Sequence, residues 1–281
     1  MTERTGVPKD EFLASVRQAL GKDRPPPVGA IRKPPVYPRL GETLAELEAA
    51  AQEVRQRTLT NRGALLDRLA ATAQLQGWQV WRGPDPEEAI GYIGSVAAAW
   101  FDKLTTSGNR VTTSGHAPTA SGDNLTASGV RRVVRSDQEV FRTVPVDAAL
   151  RNLGLELIVV ARDQAHSRDS LREAISTAGL GLTGADYAVA ETGSVVVLPR
   201  QGLSRLVSVV PPVHLALVRP QDLVENLDDL FLLRRLDYHQ NGGEMGSYLN
   251  FISGPSRTAD IEQTLVIGVH GPREVHLVLL G

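Results

Sequence analysis

Segments with the hydrophobic pattern of buried strands alternate along this chain with segments of helical period, and that alternation limits its possible folds more than any other feature. Leu44, Leu47, Ala51 and Val54 share one helical face; Leu65, Leu66, Leu69 and Ala73 share another, which Gly77 stops before a strand at Trp78 to Trp81. Asp85-Pro86-Glu87-Glu88 opens a third helix with a cap, a first-turn proline and a box glutamate. Strands are expected over 130–134 and 155–161 and a helix over 171–178. Four more strands are expected over 187–190, 194–198, 206–210 and 213–218. Pro220 opens a long helix through Leu223, Leu227 and Phe231, and a last strand covers 275–280. Apolar strands separated by helices pack as a sheet covered on both faces. The expectation is therefore an α/β fold with a mixed, mostly parallel sheet covered by helices, whose ligands bind at the carboxyl ends of strands.

Two segments stand outside this alternation. Residues 1–40 form a separable arm: Phe12, Leu13, Val16 and Leu20 face one side of a short helix ending at Gly21, and six of the seventeen residues from Arg24 to Leu40 are proline. The arm carries eight Lys or Arg against four Asp or Glu, enough to dock on an acidic neighbour, although on composition alone a solvated tail is the simpler reading. Within the remaining domain, 41–281, four seven-residue units beginning at Leu104, Val111, Pro118 and Leu125 share the pattern x-Thr-Thr/Ala-Ser-Gly. Only the first position of each unit can be apolar and the fifth is always Gly, so neither a coiled-coil seam nor a stable helix is available. The segment 104–131 reads as a flexible repeat insertion with no chemical role.

Composition closes off several chemistries. The 281 residues include no cysteine, so this chain has no disulfide, thiolate-bound zinc, sulfur-ligated iron–sulfur cluster or thiol nucleophile. A formal charge of −2 argues against a dedicated nucleic-acid binder, and the apolar runs fall far short of the roughly 20 residues of a membrane span. MTERTGVPKDEF at the start has no apolar signal core, and a cytoplasmic location is expected. Gly179-Leu-Gly181-Leu-Thr-Gly184 matches the dinucleotide pattern in form, but a helix precedes it and a strand follows, the reverse of the order that brings helix N–H groups to a pyrophosphate. A helix C-cap followed by a turn is expected there.

Candidate chemistry concentrates in the C-terminal half. The segment Gly184 to Val197 places Glu191, Thr192, Gly193 and Ser194 between two apolar strands, where Glu191 is either a carboxylate in a cleft or a cap on neighbouring N–H groups. His214, behind Pro211-Pro212-Val213, is a catalyst or a hydrogen-bonded core histidine. Ser253, Gly254, Ser256, Arg257, Thr258 and Asp260 gather three hydroxyls and a cation where a helix is expected to begin. Helix-start N–H groups and Arg257 would together take a carboxylate or phosphate, with His270 in the Gly268 to Pro272 turn closing the pocket. The alternative is a capped helix whose Arg257 pairs with Asp260 or Glu262.

At GADYAVAETGS, PPVH, SGPSRTADIE and GVHGP the chain resembles the lactate utilization protein C family, the LUD-domain proteins, over roughly Gly77 to the C-terminus. The repeat at 104–131 departs from that resemblance. The resemblance implies a fold like the NagB/RpiA/CoA-transferase group and a part in oxidising L-lactate to pyruvate beside two companion subunits with cysteine-rich and iron–sulfur segments. On that reading this chain carries no cofactor; the clusters sit on the companions, and a small organic acid is its ligand. Three roles fit: a non-redox subunit that binds substrate or holds partners, a stand-alone enzyme on a small anionic metabolite with Glu191 as nucleophile or base, or a structural or regulatory binding module.

Because the repeat units have no apolar face, deleting Val111 to Asn124 removes two of them without touching the core. A thermal midpoint within a few degrees of the parent is expected; a larger fall would mean that the repeat packs.

Overall fold

The computed structural model describes residues 43–106, 131–161, 167–198, 204–243, 246, 248–259 and 265–281, with isolated positions at 11, 14, 15 and 18. The chain divides into two units, Met1–Glu42 and Thr43–Gly281. In the first, Glu11, Ala14, Ser15 and Gln18 are helical. The apolar face expected from Phe12 to Leu20 and the proline-rich stretch lie outside the described residues, as does the 104–131 insertion apart from its ends.

The second unit opens with α1 (Leu44–Thr60), started by a capping box in which Glu46 N–H donates to the Thr43 hydroxyl and the Glu46 carboxylate accepts from Thr43 N–H at 2.7 Å. Its inward stripe is Leu47, Ala51, Val54 and Thr58. Helix α2 (Arg62–Gln76) follows and ends at Gly77, whose φ of 95° gives the left-handed cap. Then come β1 (Gln79–Gly83), α3 (Pro86–Thr106), β2 (Arg132–Ser136), α4 (Val140–Thr143), α5 (Asp147–Asn152), β3 (Glu156–Val160), α6 (Arg168–Ser176) and β4 (Leu180–Gly184). The chain continues through β5 (Tyr187–Val189), β6 (Ser194–Val197), α7 (Ser204–Val209), β7 (Val213–Val218), β8 (Leu223–Val224) and α8 (Leu227–Gln240). It closes with β9 (Asn250–Ile252), β10 (Arg257–Ala259), β11 (Leu265–Ile267) and β12 (Glu274–Leu280).

Six strands form one wholly parallel sheet in the order β1-β12-β7-β4-β2-β3. Every residue of β4 and β7 is buried, as central parallel strands require. On one face, Val133, Leu182, Leu215 and Val278 meet Ala89, Ile93, Ala97 and Phe101 of α3 together with residues of α4 and α5. On the other, Ala216, Val218, Leu277 and Leu279 meet Leu66 and Leu69 of α2 and Val195 and Val197 of a second sheet. That second sheet, ordered β8-β5-β6-β9, is mixed. Val189, Val196 and Val224 turn from it toward Leu47, Ala51 and Val54 of α1 and Leu230, Leu233 and Leu236 of α8.

The expected α/β class with a mostly parallel sheet covered by helices is what the molecule has, but several local expectations are corrected. Residues 206–210 are not a strand: α7 forms there, and Val207 packs with Val134, Leu171 and Ile175. The close seating of α7 depends on Gly181, where a Cβ would overlap the Val207 carbonyl oxygen. Gly181 and Gly184 therefore lie inside β4 and serve packing, rather than forming a helix cap and turn. The long helix expected from Pro220 is split into a 3-10 turn over Pro220–Asp222, strand β8, and α8, which Asn226 caps by accepting from Asp229 N–H. No helix begins at 253–259: Arg257 to Ala259 pair antiparallel with Ile267 to Leu265, so cross-strand pairing overrides the cap-like hydroxyl pattern. Among the described residues no helix is long and apolar enough to cross a membrane.

Gly181→Ala is expected to destabilise the protein by about 1–3 kcal/mol, because backbone must move to admit the methyl group. Gly63→Ala, with open space on α2, is expected to stabilise by about 0.5–1 kcal/mol. Urea unfolding of the two variants checks both signs, and a neutral Gly181→Ala would remove the packing role given to that glycine.

Candidate functional site

The residues singled out by sequence gather mainly at the amino end of the parallel sheet, around the last turns of α2. Gly193, at φ 66°, brings its loop against the backbone of Thr72 and Ala73, where a Cβ would lie 2.6 Å from Ala73 N. Ser194 Oγ lies 2.6 Å from Ser253 Oγ. Gly254 packs on the Gln76 carbonyl, and the Arg257 guanidinium donates to the same oxygen at 2.9 Å. Arg257 thus closes the C-terminal end of α2, and the expected anion site of helix-start N–H groups is not built. Ser256 N–H donates to the Pro272 carbonyl, and Gly271 abuts the Ser256 side chain. Thr258 is half-buried in β10, His270 is exposed, and Asp260 lies outside the described residues.

The two candidate catalysts stand apart from one another. Glu191 is exposed and accepts the Leu227 N–H at 3.2 Å, capping α8. His214 is fully buried on β7, with Nε2 2.9 Å from Thr183 Oγ1 and its ring 6.2 Å from that of Trp78. Burial, reinforced by nearby His276, pushes its pKa down to about 3, so it is a neutral core histidine. Thr192 Oγ1, Trp78 Nε1 and His214 Nδ1 are buried with no hydrogen-bond partner among the described residues.

The carboxyl end of the sheet is arranged differently. The strand order reverses between β2 and β4, the position at which open parallel sheets take ligands. The crevice itself is filled by its own polar groups. Gln138 Oε1 accepts from Ser136 Oγ at 2.6 Å and Gly184 N–H at 2.8 Å, while Arg219 bridges Glu139 and the buried Asp222, each at 2.9 Å. Just beyond, past the ends of β4 and β7, a cleft of about 530 Å³ opens between α1, the start of α2, β5, the 220–223 turn and α8. Val54, Leu59, Pro220, Leu223 and Leu233 give it apolar walls, and Arg55, Thr58, Arg62, Tyr187 and Gln221 supply polar groups.

Those polar groups are unequal. Tyr187 already donates to Asp237 at 2.9 Å, and burial beside that carboxylate drives the pKa of its hydroxyl well upward, so it stays protonated. Neighbouring Arg57 is held by Asp229 and Glu225. Arg55 and Arg62, by contrast, have no ion-pair partner among the described residues. Thr58, 8% exposed, has a buried hydroxyl with no hydrogen-bond partner among the described residues. A helical threonine ordinarily returns its hydroxyl to the carbonyl four residues back; this one does not.

A further chain of groups has little signature in the sequence. Tyr92 Oη lies 2.7 Å from His276 Nδ1, and His276 Nε2 lies 2.9 Å from Glu274 Oε1, with Trp81 stacked on Tyr92. Burial lowers the pKa of His276 against the opposing pull of Glu274. The only sequence signal was a histidine inside an apolar strand. Among the described residues no group of three or more His, Asp or Glu could hold a metal ion.

The pattern that defines the LUD domain matches residues 66–280, and the chain belongs to the LUD-domain family. Lactate utilization protein C of Halalkalibacterium halodurans is 43% identical over 105 residues, 37% of this chain and 45% of that protein. The protein of the same name from Bacillus subtilis is 35% identical over 103 residues, 37% and 42% of the two chains. Lactate utilization protein B of Anoxybacillus flavithermus is 24% identical over 282 residues, covering 84% of this chain and 52% of that one. The chain spans about half the length of the curated relatives it matches. A crystal structure of a DUF162 family protein from Deinococcus radiodurans is similar at a TM-score of 0.46 and 20% identity, covering 78% of this chain and 98% of that one.

His214 and His276 make stability depend on pH near neutrality. Both have folded pKa values below the ordinary 6.5, that of His214 at about 3, so the unfolded chain takes up protons first. Their contribution is complete above about pH 6.5 and declines as pH falls toward the folded values. The urea midpoint is expected to drop between about pH 7.5 and 5, and His214→Gln to flatten that slope by about one proton. An unchanged slope in the variant would mean that His214 titrates normally in the folded protein.

Proposed function

We propose that this chain serves lactate utilization as a non-redox binding subunit, holding an organic anion while companion subunits carry the electrons. Family membership and relatives named lactate utilization proteins B and C support the pathway. The absence of cysteine supports the division of labour, since sulfur-ligated iron–sulfur clusters must then sit on partners. The observation that carries the binding role is the cleft beyond β4 and β7, where Arg55 and Arg62 have no ion-pair partner among the described residues and flank apolar walls. A cation beside an apolar wall attracts an organic anion and does no electron transfer of its own.

A tagged chain captured from its native cells grown on L-lactate is expected to bring down iron-containing companions and lactate-dependent dye reduction. The chain purified alone is expected to be colourless and to reduce no dye. Stoichiometric flavin or iron in the isolated chain, or lactate oxidation by it, would overturn the reading.

A further inference from the structure

We infer that the cleft takes a monocarboxylate with an extended apolar body, larger than lactate or pyruvate. The inference rests on the reading of the cleft as an anion site and adds the class of anion. Size is the first argument: about 530 Å³ falls within the roughly 300–1,000 Å³ of pockets that enclose drug-sized ligands, well beyond a three-carbon acid. Lining is the second. Val54 and Leu59 from α1, Leu223 from β8 and Leu233 from α8 line the cleft; the protein itself buries Val54, Leu223 and Leu233, and Leu59, 62% exposed, is the side chain that a ligand's apolar body would cover.

The third argument is the placement of the polar groups. Arg55 and Thr58 are three residues apart on α1 and so share a face, and Arg62 follows at the first position of α2. A carboxylate accepts the planar fork of a guanidinium bidentately, and Arg55 and Arg62 are both exposed where they line the cleft. Tyr187 directs its proton to Asp237, leaving only oxygen lone pairs toward the cleft. Arg55, Thr58 and Arg62 all precede residue 66, where the match to the LUD domain begins. The polar groups of the cleft on α1 and at the start of α2 therefore lie outside the matched range.

Calorimetric titration of the full chain with octanoate, its neutral analogue octanamide, and L-lactate tests this. Octanoate is expected to bind, with octanamide at least about tenfold weaker because the charge-assisted contacts are lost. The exposed pair Arg55→Ala/Arg62→Ala is expected to weaken octanoate by about tenfold or more at an unchanged unfolding midpoint. Equal binding of octanoate and octanamide, or octanoate binding indifferent to the arginines, would overturn the site. If L-lactate binds through the arginines and octanoate does not, the ligand class fails and the anion-site reading stands; if no acid binds, both fail.

Discussion

The whole molecule follows from the burial of one parallel sheet on both faces. Parallel strands joined by crossovers carry apolar side chains above and below, and β4 and β7 have no exposed residue. At about 25 cal/mol per Å² of apolar surface, leaving either face wet would remove the main driving force for folding. Helix α3 with α4 and α5 covers one face; α2 and the second sheet share the other. The second sheet in turn has an outer face to cover, and α1 and α8 are the elements that do so. The cleft arises at this last step, because two helices covering a short, twisted sheet cannot fill the space past the ends of β4 and β7.

Close packing at the sheet depends on small residues at particular places. Gly181 lets α7 sit on β4, and Gly193 lets the loop after β5 rest on the backbone of α2. These contacts explain why the polar residues around Gly193 and Gly254 are so poorly suited to catalysis. Their loops are held against the end of α2, with Arg257 bound to the Gln76 carbonyl and Ser194 to Ser253. Arg257 and Ser194 thus have protein partners of their own.

What could be read in the sequence was whatever local periodicity controls. Val213 to Val218 and the α2 face at Leu65, Leu66, Leu69 and Ala73 are where the pattern placed them. Residues 206–210 and 253–259 depart from their local preferences: β-branched residues in the first are overridden by packing against Val134, Leu171 and Ile175, and cap-forming hydroxyls in the second by antiparallel pairing with Leu265–Ile267. The second sheet was invisible for the same reason: β5 and β6 were legible as strands, but two- and three-residue partners such as β8 and β9 have no period to detect. The site was less legible still. Glu191, His214 and Arg257 stand out as chemistry in an apolar context, yet each has a structural partner, whereas Arg55 and Arg62 look like any solvated helical cations. Their significance depends on what they lack, and the absence of an ion-pair partner among the described residues can be read only once the elements are assembled.

The two ends of the sheet therefore divide labour in a way that bears on what a family resemblance can mean. GADYAVAETGS, SGPSRTADIE and GVHGP supply contacts around the amino end, and PPVH buries its histidine under Trp78. Their described residues seat the end of α2 against the loops around Gly193 and Gly254. GADYAVAETGS reaches the cleft through Tyr187, whereas the two cations of the cleft come from α1 and the first residue of α2, ahead of the matched range. The contacts that seat α2 and the cations of the cleft thus come from different stretches of this chain.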